Sequence, residues 1–158
     1  ETVLEAFEKL WQEGLPLNLV LVGKQGWMVE GLVGQLRSHH ELNRRLFWLE
    51  EISDEYLEQV YGACTCLIAA SYGEGFGLPL IEAAQHNLPI IARDIPVFRE
   101  VAGENAFFFQ TKNPMELAHN IQEWIQIFET GQHPRSEQIP WITWEQSAEQ
   151  LVTKLALK

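Results

Sequence analysis

The segment Ser71-Tyr72-Gly73-Glu74-Gly75-Phe76-Gly77-Leu78-Pro79-Leu80-Ile81-Glu82 constrains the fold more than any other part of the chain. The apolar run Cys66-Leu67-Ile68-Ala69-Ala70 just before it reads as a buried parallel strand. Glycines follow, and then a helix whose first turn holds Pro79, where a missing N–H costs nothing. Strand, glycine-rich turn and helix, in that order, present free backbone N–H groups to an anion. Gly75 and Gly77 let the backbone approach a phosphate closely, because no Cβ stands in the way. Glu82 falls about one turn into the helix, on the face that carries Leu78.

Carboxylates beside a phosphate repel it unless they serve another partner. An ionised Glu is an acceptor with two oxygens, and a sugar diol offers two O–H donors at matching spacing. Glu74 and Glu82 flank the turn, eight positions apart. Singly, each reads as a solvated charge. Together, in this frame, they supply what a nucleotide sugar requires: a diphosphate cradle, a ribose grip and a hexose grip.

This pattern resembles the glycosyltransferases of family 4, specifically their C-terminal, nucleotide-sugar-binding domain. The likeness runs over nearly the whole chain. It takes in Leu19-Val20-Leu21-Val22-Gly23-Lys24 with Gly26-Trp27, Ser53-Asp54-Glu55 with Leu57 and Tyr61, and Glu74-Gly75-Phe76-Gly77-Leu78-Pro79 with Glu82-Ala83. It continues through Pro89-Ile90-Ile91-Ala92, Phe98-Arg99-Glu100-Val101-Ala102-Gly103 and Trp144-Glu145-Gln146-Ser147-Ala148. The Glu-Gly-Phe-Gly-Leu-Pro run with its second Glu is a specific signal, whereas a lone G-x-G would be weak.

The resemblance implies an α/β fold: a Rossmann-like parallel sheet flanked by helices, the C-terminal half of the two-domain GT-B architecture, with residues 1–158 forming one donor-binding domain. It implies that Glu74 positions the transferred sugar, and that Gly75, Phe76, Gly77 and Leu78 form the donor loop. It implies that Glu82 grips the ribose, and that the base lies near Glu50 to Ile52, with Glu51 and Ile52 as contacts. Lys24 follows a strand's C-terminal end, where ligands sit on open α/β sheets, and reads either as a phosphate contact or as an exposed surface lysine. Trp27, Arg93, Asp94, Arg99 and Glu100 read mainly as packing or bracing residues. The family retains anomeric configuration and generally lacks a metal-binding Asp-x-Asp, which is absent here too. No metal is expected, and the donor substrate is a UDP- or GDP-hexose.

Three departures from the family pattern stand out. Ala70 and Asn87 replace a usual Pro and Gly; Asn also tolerates the left-handed geometry after a helix. The family's domain normally opens with a strand ending in Gly-Arg and followed by a Lys, cations that bind the diphosphate. The present sequence starts at the helix after that strand, so its sheet is expected to lack the first, central strand.

Length and composition fit one globular domain: 158 residues, 46% hydrophobic and 21% charged, with six Trp and eight Phe as core material. The net charge of -11 argues against nucleic acid and an anionic membrane surface as partners. It also places the cations of a diphosphate site elsewhere, in the further strand or in an N-terminal acceptor domain. Cys64 and Cys66 read as core packing. No histidine pair has metal-ligand spacing on one helix face. The expected location is cytoplasmic, with the full protein peripheral at the inner face of the membrane as a further expectation.

Periodicity and capping signals predict helices over 1–13, 28–39, 53–63, 78–86, 96–102, 114–129 and 143–155, and strands over 17–22, 46–49, 65–69, 89–92 and 106–109. Asn113-Pro114-Met115-Glu116 and Thr143-Trp144-Glu145-Gln146 read as capping boxes. The last helix is expected to pack toward an N-terminal domain. The leading functional reading is the donor-binding part of a retaining hexosyltransferase acting on a glycan or lipid-linked acceptor, inactive as this chain alone. A non-catalytic nucleotide-sugar-binding or scaffold domain is the alternative, and a sugar-nucleotide epimerase a third reading, disfavoured by the Glu-Gly-Phe-Gly-Leu-Pro run.

Overall fold

The computed structural model describes residues 1–24 and 30–156. Helix α1 (Thr2–Gln12) buries Leu4, Phe7, Leu10 and Trp11, one stripe at helical spacing. Gly14 ends it at φ 85°, with the Leu15 N–H donating to the Leu10 carbonyl and the Gly14 N–H to that of Trp11. There follow β1 (Leu19–Val22), α2 (Glu30–Ser38), β2 (Leu46–Leu49), α3 (Asp54–Ala63), β3 (Leu67–Ala69) and α4 (Leu78–Gln85). The chain continues through β4 (Ile90–Arg93), α5 (Pro96–Ala102), β5 (Phe107–Phe109), α6 (Pro114–Glu129), a 3-10 turn at Ser136–Gln138 and α7 (Trp144–Ala156). The predicted start of α2 at Met28, like Gly26 and Trp27, lies outside the described residues.

Strand boundaries are set by pairing. β3 begins at Leu67 rather than Thr65, because the facing Pro89 has no N–H and β4 enters the ladder only at Ile90. β4 runs one residue past Ala92 because Arg93 pairs with Phe109. β1 begins at Leu19, whose N–H donates to the Arg45 carbonyl as β2 comes alongside. Cys64 is therefore not on a strand; it follows α3 as its C-terminal cap.

Within each sheet the strands run parallel, and the sheet is in two pieces, in keeping with the expected lack of its central strand. β1 pairs with β2, and β3, β4 and β5 pair in that order, with no strand among the described residues joining β1 to β3. The division leaves one edge of β1 and one edge of β3 without ladder partners. Both pieces share one apolar cover. Leu19, Leu46, Ile91 and Phe109 pack with buried residues of α1 and α6, including Leu10, Leu117, Ile121 and Trp124. On the opposite face of the three-stranded sheet, Ala69, Ile90 and Ala92 pack with Leu80, Ala83 and Ala84 of α4, Phe98 and Ala102 of α5, and Ile139.

The caps follow the predicted chemistry, with one relay. Ser53 accepts from the Tyr56 N–H at the start of α3. Thr143 and Gln146 bond reciprocally, the Thr143 N–H to the Gln146 Oε1 and the Gln146 N–H to the Thr143 Oγ1. Asn113 caps the Met115 N–H, but Glu116 does not reach back to Asn113. It accepts from the Thr111 hydroxyl, whose oxygen takes the Asn113 N–H. Helix α7 exposes Trp144, Leu151, Val152 and Leu155. Among the described residues no helix is long and apolar enough to cross a membrane.

Beyond β4, Asp94 takes both a 2.8 Å bond from Arg99 Nε and a 3.0 Å bond from Arg99 Nη2, while Gln110 Nε2 donates to the same carboxylate. The Arg99 guanidinium also lies 3.8 Å from the centre of the Phe108 ring. Arg99 first, then Gln110, draws the Asp94 carboxyl from its ordinary 3.8 down to about 2. Between those values the unfolded chain binds more protons than the folded one. The brace is therefore fully effective above 3.8 and is lost as the pH falls through about 2. Thermal unfolding of Asp94→Asn beside the wild type is expected to show a Tm deficit at neutral pH that closes across this acid window.

Candidate functional site

Parallel strands place their C-terminal ends on one side of their sheet. Gly23-Lys24 and Glu50-Glu51 leave the two-stranded sheet at one shared end, and the Ser71–Gly77 loop leaves β3 at the end of the three-stranded sheet where β4 and β5 also finish. The loop enters α4 through Gly77, which caps the helix in the left-handed region at φ 81° with no side-chain capping bond. A Cβ on Gly77 would lie 3.4 Å from Phe98 Cδ1 and 3.5 Å from Val101 Cγ2. Those are ordinary contact distances, so it is the left-handed backbone at φ 81°, and not crowding, that favours glycine at 77. Gly75 is different: a Cβ there meets nothing within 4 Å. The packing of the domain makes no demand on Gly75, and its backbone lies against open space where a ligand has room.

The structure assigns each predicted side chain a partner or an exposure. Glu74 is exposed, and its Oε1 accepts the Gly75 N–H at 3.1 Å, so one of the amides predicted for the donor is held by the predicted sugar-binding acid. Phe76 and Leu78 are exposed apolar side chains at the mouth of the loop. Glu82 is half-buried on α4, and its Oε2 accepts from the Tyr61 hydroxyl at 2.7 Å. Lys24 and Glu51 come together, Nζ to Oε1 at 3.6 Å, with both side chains largely exposed. Ile52 is half-buried just before the Ser53 cap. Among the described residues no hydrogen bond or ion pair links Lys24 or Glu51 to the Glu74–Glu82 segment.

Two further residues shape the site: Tyr61, which had no role in the sequence pattern, and Arg93, which read mainly as packing but follows a strand end and could touch the site. Tyr61 reaches Glu82 from α3. Arg93, at the end of β4, is 4% exposed, donates Nε to the Ala70 carbonyl at 3.0 Å and Nη1 to the Thr111 carbonyl at 2.7 Å, and so clamps the ends of β3 and β5. Its guanidinium lies between the rings of Tyr72 and Phe109, at 4.1 and 4.9 Å from their centres. Ala70, in place of the family's usual proline, supplies the carbonyl that anchors the clamp. The signal for Arg93 was a basic residue closing an otherwise apolar strand, Ile90-Ile91-Ala92-Arg93.

Burial pushes the Cys66 thiol up to about 12 and raises that of Cys64, which agrees with packing rather than nucleophilic roles. Among the described residues no group of three or more His, Cys, Asp or Glu is placed to hold a metal ion.

Parallel strands covered by helices, with a glycine loop opening a helix, make an α/β domain of the kind found in GT-B glycosyltransferases. Solved structures agree on the fold. Anabaena Alr3699/HepE in complex with UDP-glucose superposes with a TM-score of 0.67 at 22% identity, over 85% of this chain and 37% of that one. The C-terminal domain of a glycosyl transferase group 1 family protein (LpcC) from Francisella tularensis gives 0.69 at 20% identity, over 84% and 71%. The model of the family "Glycosyl transferases group 1" matches residues 1–136, and the chain belongs to that family. It is 54% identical over 154 residues to the serotype-specific mannosyltransferase WbdA of Escherichia coli, covering 98% of this chain and 19% of that protein. It is 34% identical over 102 residues to the O-antigen chain mannosyltransferase RfbU of Salmonella typhimurium, covering 64% and 28%. The chain thus spans about one-fifth of the length of the first of these relatives.

The two loop glycines are expected to respond differently to a methyl group. Gly77→Ala should lose about 1–2 kcal/mol from left-handed strain alone, whereas Gly75→Ala should stay within about 0.5 kcal/mol of the wild type. Urea denaturation of both variants checks this, and equal losses at the two positions would contradict the left-handed strain described for Gly77.

Proposed function

We propose that this chain is the donor-binding part of a retaining hexosyltransferase of glycosyltransferase family 4. It takes a hexose from a GDP- or UDP-sugar and delivers it to a glycan or lipid-linked acceptor held by another domain. The carrying observation is the Glu74–Glu82 unit at the C-terminal end of β3, with a half-buried carboxylate at Glu82 and an uncapped helix start at Gly77. The likeness to the mannosyltransferases WbdA and RfbU favours mannose, and therefore GDP-mannose, over UDP-glucose.

In this reading the start of α4 and the loop amides face the diphosphate, since the helix N-terminus carries a partial positive charge. Glu82 accepts from the ribose hydroxyls, and Glu74 turns from the Gly75 N–H to the hydroxyls of the hexose, freeing that amide for the donor. Neither acid is assigned a proton transfer. Rate acceleration comes from positioning and from stabilising the charge that develops on the leaving diphosphate. Lys24 contributes to the latter by exchanging Glu51 for phosphate. No metal is part of this scheme. The setting is the cytoplasmic side of the membrane, where nucleotide sugars are available, and the chain alone binds donor weakly without turnover.

Calorimetric titration with GDP-mannose and UDP-glucose tests the reading. Saturable binding of one donor, weakened at least about tenfold in Glu82→Ala through loss of a charged hydrogen-bond acceptor, is the expected outcome. Indistinguishable isotherms for wild type and variant with the bound donor would refute the assignment of Glu82.

A further inference from the structure

Tyr61 and Glu82 lie on different helices, 21 positions apart in sequence, yet the phenol donates to the carboxylate at 2.7 Å. The Tyr61 ring is itself fixed. It stacks on His86 with ring centres 5.4 Å apart and planes 13° from parallel. His86 sits four positions after Glu82, one turn along, so the tyrosine runs beside α4 and touches it at both levels. Burial first, and the Glu82 carboxylate second, hold the Tyr61 hydroxyl well above the ordinary phenol value of 10.0, so it remains a donor at any working pH.

The geometry points to Tyr61 as a positioning residue that makes Glu82 selective for an intact ribose; this inference rests on the donor-site reading above. A glutamate carboxylate rotates freely about its last bond, and a diol that needs two aligned acceptors must first stop that rotation. Tyr61 stops it beforehand. It occupies one side of Oε2, while Oε1 has no hydrogen-bond partner among the described residues. The carboxylate therefore presents a fixed acceptor edge to the sugar. Such an edge favours neighbouring hydroxyls and gains less from a 2′-deoxyribose, where one donor is gone.

A purely structural Tyr61, packing α3 against α4, would affect every ligand alike. Tyr61→Phe keeps the ring and its stack on His86 while removing only the hydroxyl. The test is calorimetric titration of the native protein, Tyr61→Phe and Glu82→Ala with GDP-mannose, UDP-glucose and the 2′-deoxyribose form of each. Tyr61→Phe is expected to weaken the bound ribose donor about tenfold and its 2′-deoxy form by no more than about twofold. Equal losses for the two forms, or an unchanged ribose donor, would overturn the positioning role. The Glu82→Ala arm separates the two failures. If it weakens the ribose donor while Tyr61→Phe does not, only the role of Tyr61 falls; if it weakens neither, the donor-site reading itself falls.

Discussion

Strand β4 is the constraint on which the rest of this domain depends. All four of its residues are buried, and it is hydrogen-bonded on both sides, to β3 and to β5. Its side chains alternate between two cores, Ile91 toward α1 and α6, Ile90 and Ala92 toward α4 and α5. A strand buried on both faces reads as a continuous apolar run, which is why Pro89-Ile90-Ile91-Ala92 carries no polar alternation. Arg93 extends its reach, tying the exits of both neighbouring strands through carbonyl oxygens. The loop that carries Glu74 leaves from one of those exits, so its starting direction is inherited from β4.

The electrostatics around the loop are arranged as local pairings rather than as a basic patch. Glu74 is satisfied by the next backbone N–H, Glu82 by a phenol, Lys24 by Glu51 and Asp94 by Arg99. Exposed pairs such as Lys24 with Glu51 contribute at most about 1 kcal/mol, so such a pair yields readily to a competing anion. The Glu82 pairing differs because its partner is uncharged, half-buried and ring-stacked.

Most elements were legible from local chemistry. Ser53, Asn113 and Thr143 marked helix starts because their short side chains reach the first free N–H groups. Gly14 and Asn87 marked helix ends because both sit at positive φ; Asn87 shows that the family's usual glycine is replaceable where an amide side chain tolerates that geometry. What was not legible depends on tertiary contact. The lack of a central strand was expected, but the register of the strands on either side of the gap is a non-local matter. Gly75 and Gly77 look alike in sequence, yet only Gly77 faces Phe98 and Val101, which arrive from α5. Tyr61 stood in the recognised pattern without a role, since nothing local says that α3 lies against α4 at Glu82.

The short strands carry a consequence for how copies of this domain behave toward one another. Among the described residues, the edges of β1 and β3 without ladder partners offer only four and three residues. A foreign strand gains few hydrogen bonds there, and brevity is one of the ways natural sheets discourage edge-to-edge aggregation. The net charge of -11 acts in the same direction, by keeping copies apart in solution. Both features lower the tendency of these edges to take up a strand from a neighbouring copy.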